Sequence, residues 1–325
     1  MTNLLVIKEY IKSYYAKYEE FIVPILKFLL GFILFMTINS KMGYMEKIDN
    51  LVIVLVAALL CSFMPLGLTV FLCAAFIMMH AYALSLECVA VLLLAYLFIA
   101  VIYLRFSPKD HLILLLTPLL FVWKVPYVMP LAAGLFATPA SAAAVASGVV
   151  IYYVLAYVSG NAVALGAVES DSALQRFRDV TTGVTGNREM IIVAAAFAIT
   201  VVLVYAIRRM SITYSRAIAI LVGTLADIVI LLVGDLMYDA NFSIAAVILG
   251  SILGAVLALV MQFFHFNLDY ARTEKVQFED DEYYYYVKAV PKMAVAAPAK
   301  RVKKITTQRA NQNVRRSHSK GRTRK

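Results

Sequence analysis

Long apolar runs separated by short polar breaks fill residues 21–266. In order they cover 21–39, 51–64, 66–85, 87–104, 112–123, 125–137, 138–157, 190–207, 217–234 and 242–266. A spanning helix needs about 20 mostly apolar residues, so the pattern predicts an all-α fold, a polytopic transmembrane helical bundle of about 8–10 membrane segments. Runs 51–64, 112–123 and 125–137 are short for a full crossing. They are expected to tilt, or to enter and return on one side as re-entrant half-helices. Lys27 interrupts the first run near its end, where a lysine reaches the surface along its own stem.

The stretch 112–157 is apolar almost throughout. Lys124 is its only charged residue, and it carries Pro118, Pro126, Pro130 and Pro139. Lipid is the natural solvent for such a segment.

Outside the runs the pattern changes. Leu4, Ile7, Ile11, Tyr14, Tyr18 and Phe21 recur at helical spacing, with Lys8, Lys12, Lys17, Glu19 and Glu20 off that stripe. Residues 1–20 are therefore expected to form an amphipathic interfacial helix, a short coiled-coil contact being the alternative. The mixed-charge stretch 159–189 reads as a polar loop. After the transmembrane domain, 21–266, comes an acidic, tyrosine-rich cytoplasmic segment, 267–293, in which 283–293 reads as a short strand. Residues 294–325 have the composition of a disordered basic tail.

Composition agrees. Of 325 residues 62% are hydrophobic and 15% charged, with a mean hydropathy of +0.81; globular chains carry about 25% charged residues. The net charge of +10 is concentrated: residues 266–325 hold 15 basic against 6 acidic residues, and the remainder 15 against 14. Cys61, Cys73 and Cys88 all lie in apolar runs, so no disulfide framework is expected. The first twenty residues lack a short apolar core and a small-residue cleavage site, so no cleaved signal peptide is expected.

Basic residues orient the chain. The loop with Arg208, Arg209 and Arg216 is expected in the cytoplasm, and the loop with Asp235 and Asp239 outside. Counting crossings puts both termini in the cytoplasm and the protein in the cell membrane. Lys41 and Lys47 fall on the outer side and dissent mildly. The parity holds whether the short pairs cross twice or return.

Candidate chemistry is sparse. Asp227 lies midway along an apolar run, where a carboxylate costs roughly 2.5–3.5 kcal/mol. It reads as a proton- or ion-coupling group, or as structural glue paired to a lysine or a backbone donor. Lys124 reads as the tip of an interfacial hairpin flanked by Trp123 and Tyr127, or as a buried partner of Asp227. MPLGLTVF at 64–71 and MPLAAGLF at 129–136 resemble one another, each after a Leu/Val-rich run. Read as inverted repeats, they place broken helices around Pro65 and Pro130 beside a transport pathway; read plainly, they are convergence among few apolar letters. Ala246, Gly250, Gly254 and Ala258 step by four and predict a close helix-packing face, with Gln262 bonding across it. Cys73, His80 and Glu87, spaced by seven, suggest metal ligands only weakly, and an interior hydrogen-bonded His80 is the plainer reading. There is no GxxxxGK[ST], HExxH, GxSxG or paired-cysteine zinc spacing. No enzyme activity, cofactor or metal is expected.

The basic clusters at 300–304 and 315–325 suit an anionic leaflet. Membrane lipids, and a cytoplasmic protein partner held through 279–325, are the expected contacts. Nucleic-acid binding is not expected, since no recognised nucleic-acid fold is present.

INSKMGYMEKIDN (38–50), RFSPKD (105–110), VPYVMPLAAGLFATPASA (125–142) and TEKVQFEDDEYYYYVKAVPK (273–292) resemble segments of a group of multi-pass membrane proteins of clostridia-type Gram-positive bacteria, sometimes labelled transporter permeases. The resemblance covers nearly the whole chain. It implies a polytopic membrane protein and brings no substrate or site residue. The leading expectation is a transporter-like permease for an ion or small solute, with Asp227, Pro65, Pro130 and Lys124 along the pathway. The alternative is a membrane scaffold whose basic tail recruits a partner or lipid.

Overall fold

A computed structural model describes residues 2–166, 173–212, 214–240, 242–265, 274–279 and 284–289. The first helix, α1 (Thr2–Met42), is broken at Tyr18, which has non-helical angles (φ −119°, ψ 21°). The break separates the amphipathic stretch from the apolar one. α2 (Leu51–Phe63) starts at Asn50, whose side chain accepts from the Val52 N–H, and runs back along α1. Ser62 Oγ donates to the Pro24 carbonyl at 2.9 Å, and Lys27 Nζ to the Met64 carbonyl at 3.3 Å. The charge inside the first run is thus used on the carbonyl end of α2, where the helix dipole favours a cation.

Then follow α3 (Leu66–Leu84), α4 (Leu86–Phe106), α5 (His111–Val122), α6 (Val128–Phe136), α7 (Ser141–Gly160), α8 (Ala162–Gly166), α9 (Ala173–Thr185), α10 (Arg188–Arg208), α11 (Ser215–Tyr238) and α12 (Ile244–His265). Among the described residues seven helices are long and apolar enough to cross a membrane: α1 over Ser13–Met42, α3, α4, α7, α10, α11 and α12. The chain is a multi-pass integral membrane protein with an all-α transmembrane bundle. α2, α5 and α6, with 13, 12 and 9 residues, are the short members.

The core has two main parts. Phe35, Phe76, Leu92 and Val158 centre one of them, and Val149, Ala196, Phe197 and Val201 the other. α10 is the hub of the second part, packing against α6, α7 and α11. In the first part His80 is fully buried and committed to hydrogen bonds. The Met45 N–H donates to its Nδ1 at 3.3 Å, so Nε2 carries the proton and donates to Asn39 Oδ1 at 3.0 Å. Among the described residues no three His, Cys, Asp or Glu side chains gather as metal ligands.

Two expectations need correction here. The stretch 159–189 holds α8 and α9 rather than a plain loop. Phe177, Val180 and Val184, at steps of three and four, turn one face of α9 inward. The similar octapeptides also differ in structure. Pro65 is the N-cap residue of a 19-residue α3, whereas Pro130 is the third residue of the 9-residue α6. The octapeptide opens a full-length helix in one case and makes up nearly the whole of a stub in the other.

Beyond the bundle lies a separate unit. β1 (Glu274–Glu279) pairs antiparallel with β2 (Tyr284–Ala289), Val276 opposite Val287 and Glu279 opposite Tyr284. The strand expected over 283–293 is present in shorter form, with a partner that the pattern did not announce. The tail 294–325 lies outside the described residues.

Candidate functional site

α5 and α6 form a helical hairpin that begins and ends at one end of the bundle. Ser141 Oγ, at the start of α7, donates to Asp110 Oδ2 just before α5, at 2.7 Å. Arg208, the last residue of α10, donates to the Leu135 and Ala137 carbonyls at the end of α6, the latter at 2.6 Å. Phe136 stacks on His265, the last residue of α12, with ring centroids 4.5 Å apart. The start of α5 and the end of α6 therefore sit together at this end, which also carries Arg208.

The tip of the hairpin lies at half height. Phe121 stacks on Tyr152 at 4.6 Å, Tyr127 meets Phe197 edge-on at 6.0 Å, and the Tyr127 backbone lies against Gly254. Tyr152, Phe197 and Gly254 are each eleven residues from the Arg208 end of their helices, counted from Ser141, Arg208 and His265. At 1.5 Å per residue that depth is about 16 Å, half of a hydrocarbon layer of about 30 Å. α5, at 12 residues, is about 18 Å long and reaches no further. The pair is a helical hairpin that turns back at half the height of the bundle.

A Schellman turn closes the tip. The Val125 N–H donates to the Leu120 carbonyl at 2.9 Å and the Lys124 N–H to the Phe121 carbonyl at 3.0 Å. Lys124 takes the left-handed position, φ 60°, that glycine usually fills. Pro126 follows and stops the helix. Lys124 is exposed and forms no contact with Asp227, so its reading as the buried partner is set aside. Tyr127 is packed deep between α10 and α12, so it does not belong to an interfacial belt with Trp123.

The small-residue face of α12 explains how the tip fits. A Cβ on Gly254 would come within 3.0 Å of the Tyr127 carbonyl carbon, and one on Gly250 would collide with the Tyr127 ring. Ala258 is buried against Leu131, Leu135 and Ile220. Ala246 is exposed and falls outside this face, because Val247 and Ser251 turn inward there instead. Gln262 Oε1 is buried with no hydrogen-bond partner among the described residues, so the bond expected across the face is not made.

Asp227 lies at mid-length of α11 and is 2% exposed. Thr200 Oγ1 donates to its Oδ1 at a long 3.4 Å, and this is its one hydrogen bond among the described residues. A carboxyl group so poorly partnered in apolar surroundings is costly to keep. Four residues above it, Leu231 lines the floor of a cavity of about 470 Å³, together with Tyr127 at the hairpin tip. The walls rise through Tyr153 and Tyr157 to Asn187, Glu189 and Phe242 at the opposite end of the bundle. Asp227 thus lies beneath a vestibule whose floor is made by Tyr127, Phe197 and Leu231. Toward the other end, Leu131, Leu135, Val204 and Ile220 fill the space.

Pro130 belongs to this region, buried in the first turn of α6, which packs on α10, α11 and α12. Pro65 does not. It is exposed at the α2–α3 junction, and α3 packs on α4, α5, α2 and α8, away from α11. Pro65 and Pro130 are not brought together, because the first Met-Pro-Leu copy opens a full-length helix that belongs to the other part of the core. A larger cavity, about 980 Å³, sits between α1, α3, α4, α5 and α7. Its mostly apolar lining offers little to a charged solute.

No family model matches the chain, and neither the curated proteins nor the solved structures contain a match to it.

Proposed function

We propose that the protein is a transporter-like permease of the cell membrane, moving an ion or small solute past Asp227. In this reading the short, tilted α2 crosses along with the seven long helices, and the resulting eight crossings leave the Arg208 end and both termini in the cytoplasm, as the basic loops ask. The vestibule opens outward, the tip of the α5–α6 hairpin and the Tyr127–Phe197–Leu231 layer form its inner gate, and Asp227 is the coupling carboxylate. The conformation described is occluded: the carboxyl is closed from both ends. One observation carries the reading, a half-height hairpin that ends a vestibule directly above a buried carboxyl with a single long hydrogen bond. Non-helical backbone at that depth is tolerated only inside protein or beside a wet cavity, and half-helices meeting near the midplane are a recurrent way to build a transport site.

A flux assay tests this. Protein in liposomes is expected to pass a monovalent-ion or proton gradient that Asp227→Asn and Asp227→Ala both abolish. Unchanged flux in both variants, with wild-type protein active, overturns the role of Asp227.

A further inference from the structure

The chemistry of the vestibule narrows the solute. Seven aromatic side chains line it: Phe197 in the floor, with Phe121, Tyr127, Tyr152, Tyr153, Tyr157 and Phe242 around it. Phe197 is fully buried and Phe121 and Tyr152 stack on one another, while the six wall rings each keep part of their surface exposed. Among the described residues Glu189, half-buried near the mouth, is the one charged residue of the lining, which holds no Lys, Arg or His. Asp227 adds a second carboxyl just beneath the floor. A cleft with acidic groups at two depths and low-dielectric walls concentrates cations. Aromatic faces attract a diffuse, weakly hydrated cation through the ring quadrupole, and cages of such rings are how quaternary ammonium groups are recognised. For a bare metal ion the lining offers one carboxylate, beside an amide and neutral phenol hydroxyls that ligate weakly, so such an ion would keep its water. The volume of about 470 Å³ suits a small organic molecule.

We infer that the vestibule is the entry site for a small organic cation of the quaternary ammonium class, caged by the aromatic walls with Glu189 as counter-charge. The inference rests on the transport reading and names the class of substrate for it. Arg188, next to Glu189 in sequence, is engaged elsewhere, donating to the Tyr238 carbonyl at 2.9 Å. It leaves the carboxylate of Glu189 as the charge that faces the cavity.

Calorimetric titration of the full chain in nanodiscs tests this, with choline as the probe and its uncharged carbon isostere as control, a tert-butyl group replacing the trimethylammonium. Choline is expected to bind saturably, the isostere at least about tenfold more weakly. Glu189→Gln is expected to weaken choline by about tenfold and leave the isostere unchanged, with an unaltered melting temperature showing that the variant is folded. Tyr153→Leu is expected to weaken choline as well. No saturable choline binding, equal binding of the isostere, or choline binding indifferent to Glu189→Gln overturns the inference. The two readings fail separately. Asp227-dependent flux of another ion without choline binding defeats the cation site and leaves the transporter. Choline binding without any Asp227-dependent flux leaves the site and defeats the transporter.

Discussion

The carbonyl carbon of Tyr127 lies so close to Gly254 that a Cβ there would approach it to 3.0 Å, and the Val128 nitrogen to 3.1 Å. Both opposing atoms are backbone and cannot swing aside. The hairpin tip therefore depends on a bare helix surface on α12. Gly254→Ala is expected to cost about 1–3 kcal/mol by overpacking, and Gly254→Leu more. Thermal melting in detergent measures both, and Ala246→Leu, on an exposed position of the same helix, is expected to change little.

Arg208 ties the other end of the hairpin by donating to two carbonyls that α6 leaves unpaired. Arg208→Ala is expected to destabilise by about 3 kcal/mol, the scale of hydrogen bonds from a charged donor. Arg208→Lys should recover part of it, since an ammonium reaches one carbonyl but lacks the fork that spans two. Melting temperatures of the three proteins check this.

At the tip, Lys124 holds a left-handed backbone without being glycine. Lys124→Gly is expected to raise stability by about 1 kcal/mol, and Lys124→Val to lower it, since a branched Cβ crowds the carbonyl in that region. Equal melting of all three would show that the Schellman turn is not kept.

Asp227 separates a functional group from structural glue. With one long hydrogen bond and no cation beside it among the described residues, the carboxyl contributes little to folding. Asp227→Asn is expected to hold or raise stability, by up to about 1 kcal/mol, while removing flux, the pattern of a residue kept for activity. A loss of several kcal/mol in Asp227→Asn would mark it as glue.

Most of the architecture was legible in the apolar pattern, because lipid makes run length and helix length nearly the same thing. The run at 190–207 and α10 (Arg188–Arg208) differ by two residues at one end and one at the other. Asp227 was legible as an isolated carboxylate. What the pattern left open was depth. Residues 112–123 and 125–137 look the same whether they cross or return, and the decision lies in tertiary contacts such as Tyr127 with Gly254. The Schellman turn at Lys124 lacked its glycine, so no local signal announced the reversal. α9 was hidden by its polar average, although Phe177, Val180 and Val184 had the spacing. The vestibule draws its aromatic residues from α5, the hairpin tip, α7, α10 and the approach to α12, a grouping that sequence order does not display.

The depth of the hairpin tip is the central claim. The three native cysteines are buried, so Lys124→Cys offers the accessible thiol for a nitroxide or a fluorophore, and lipid-borne quenchers then report its depth in bilayers. The account predicts a probe within a few ångströms of the bilayer centre; a probe at the headgroups, about 15 Å away, would mean that α5 and α6 cross the membrane separately and would contradict it.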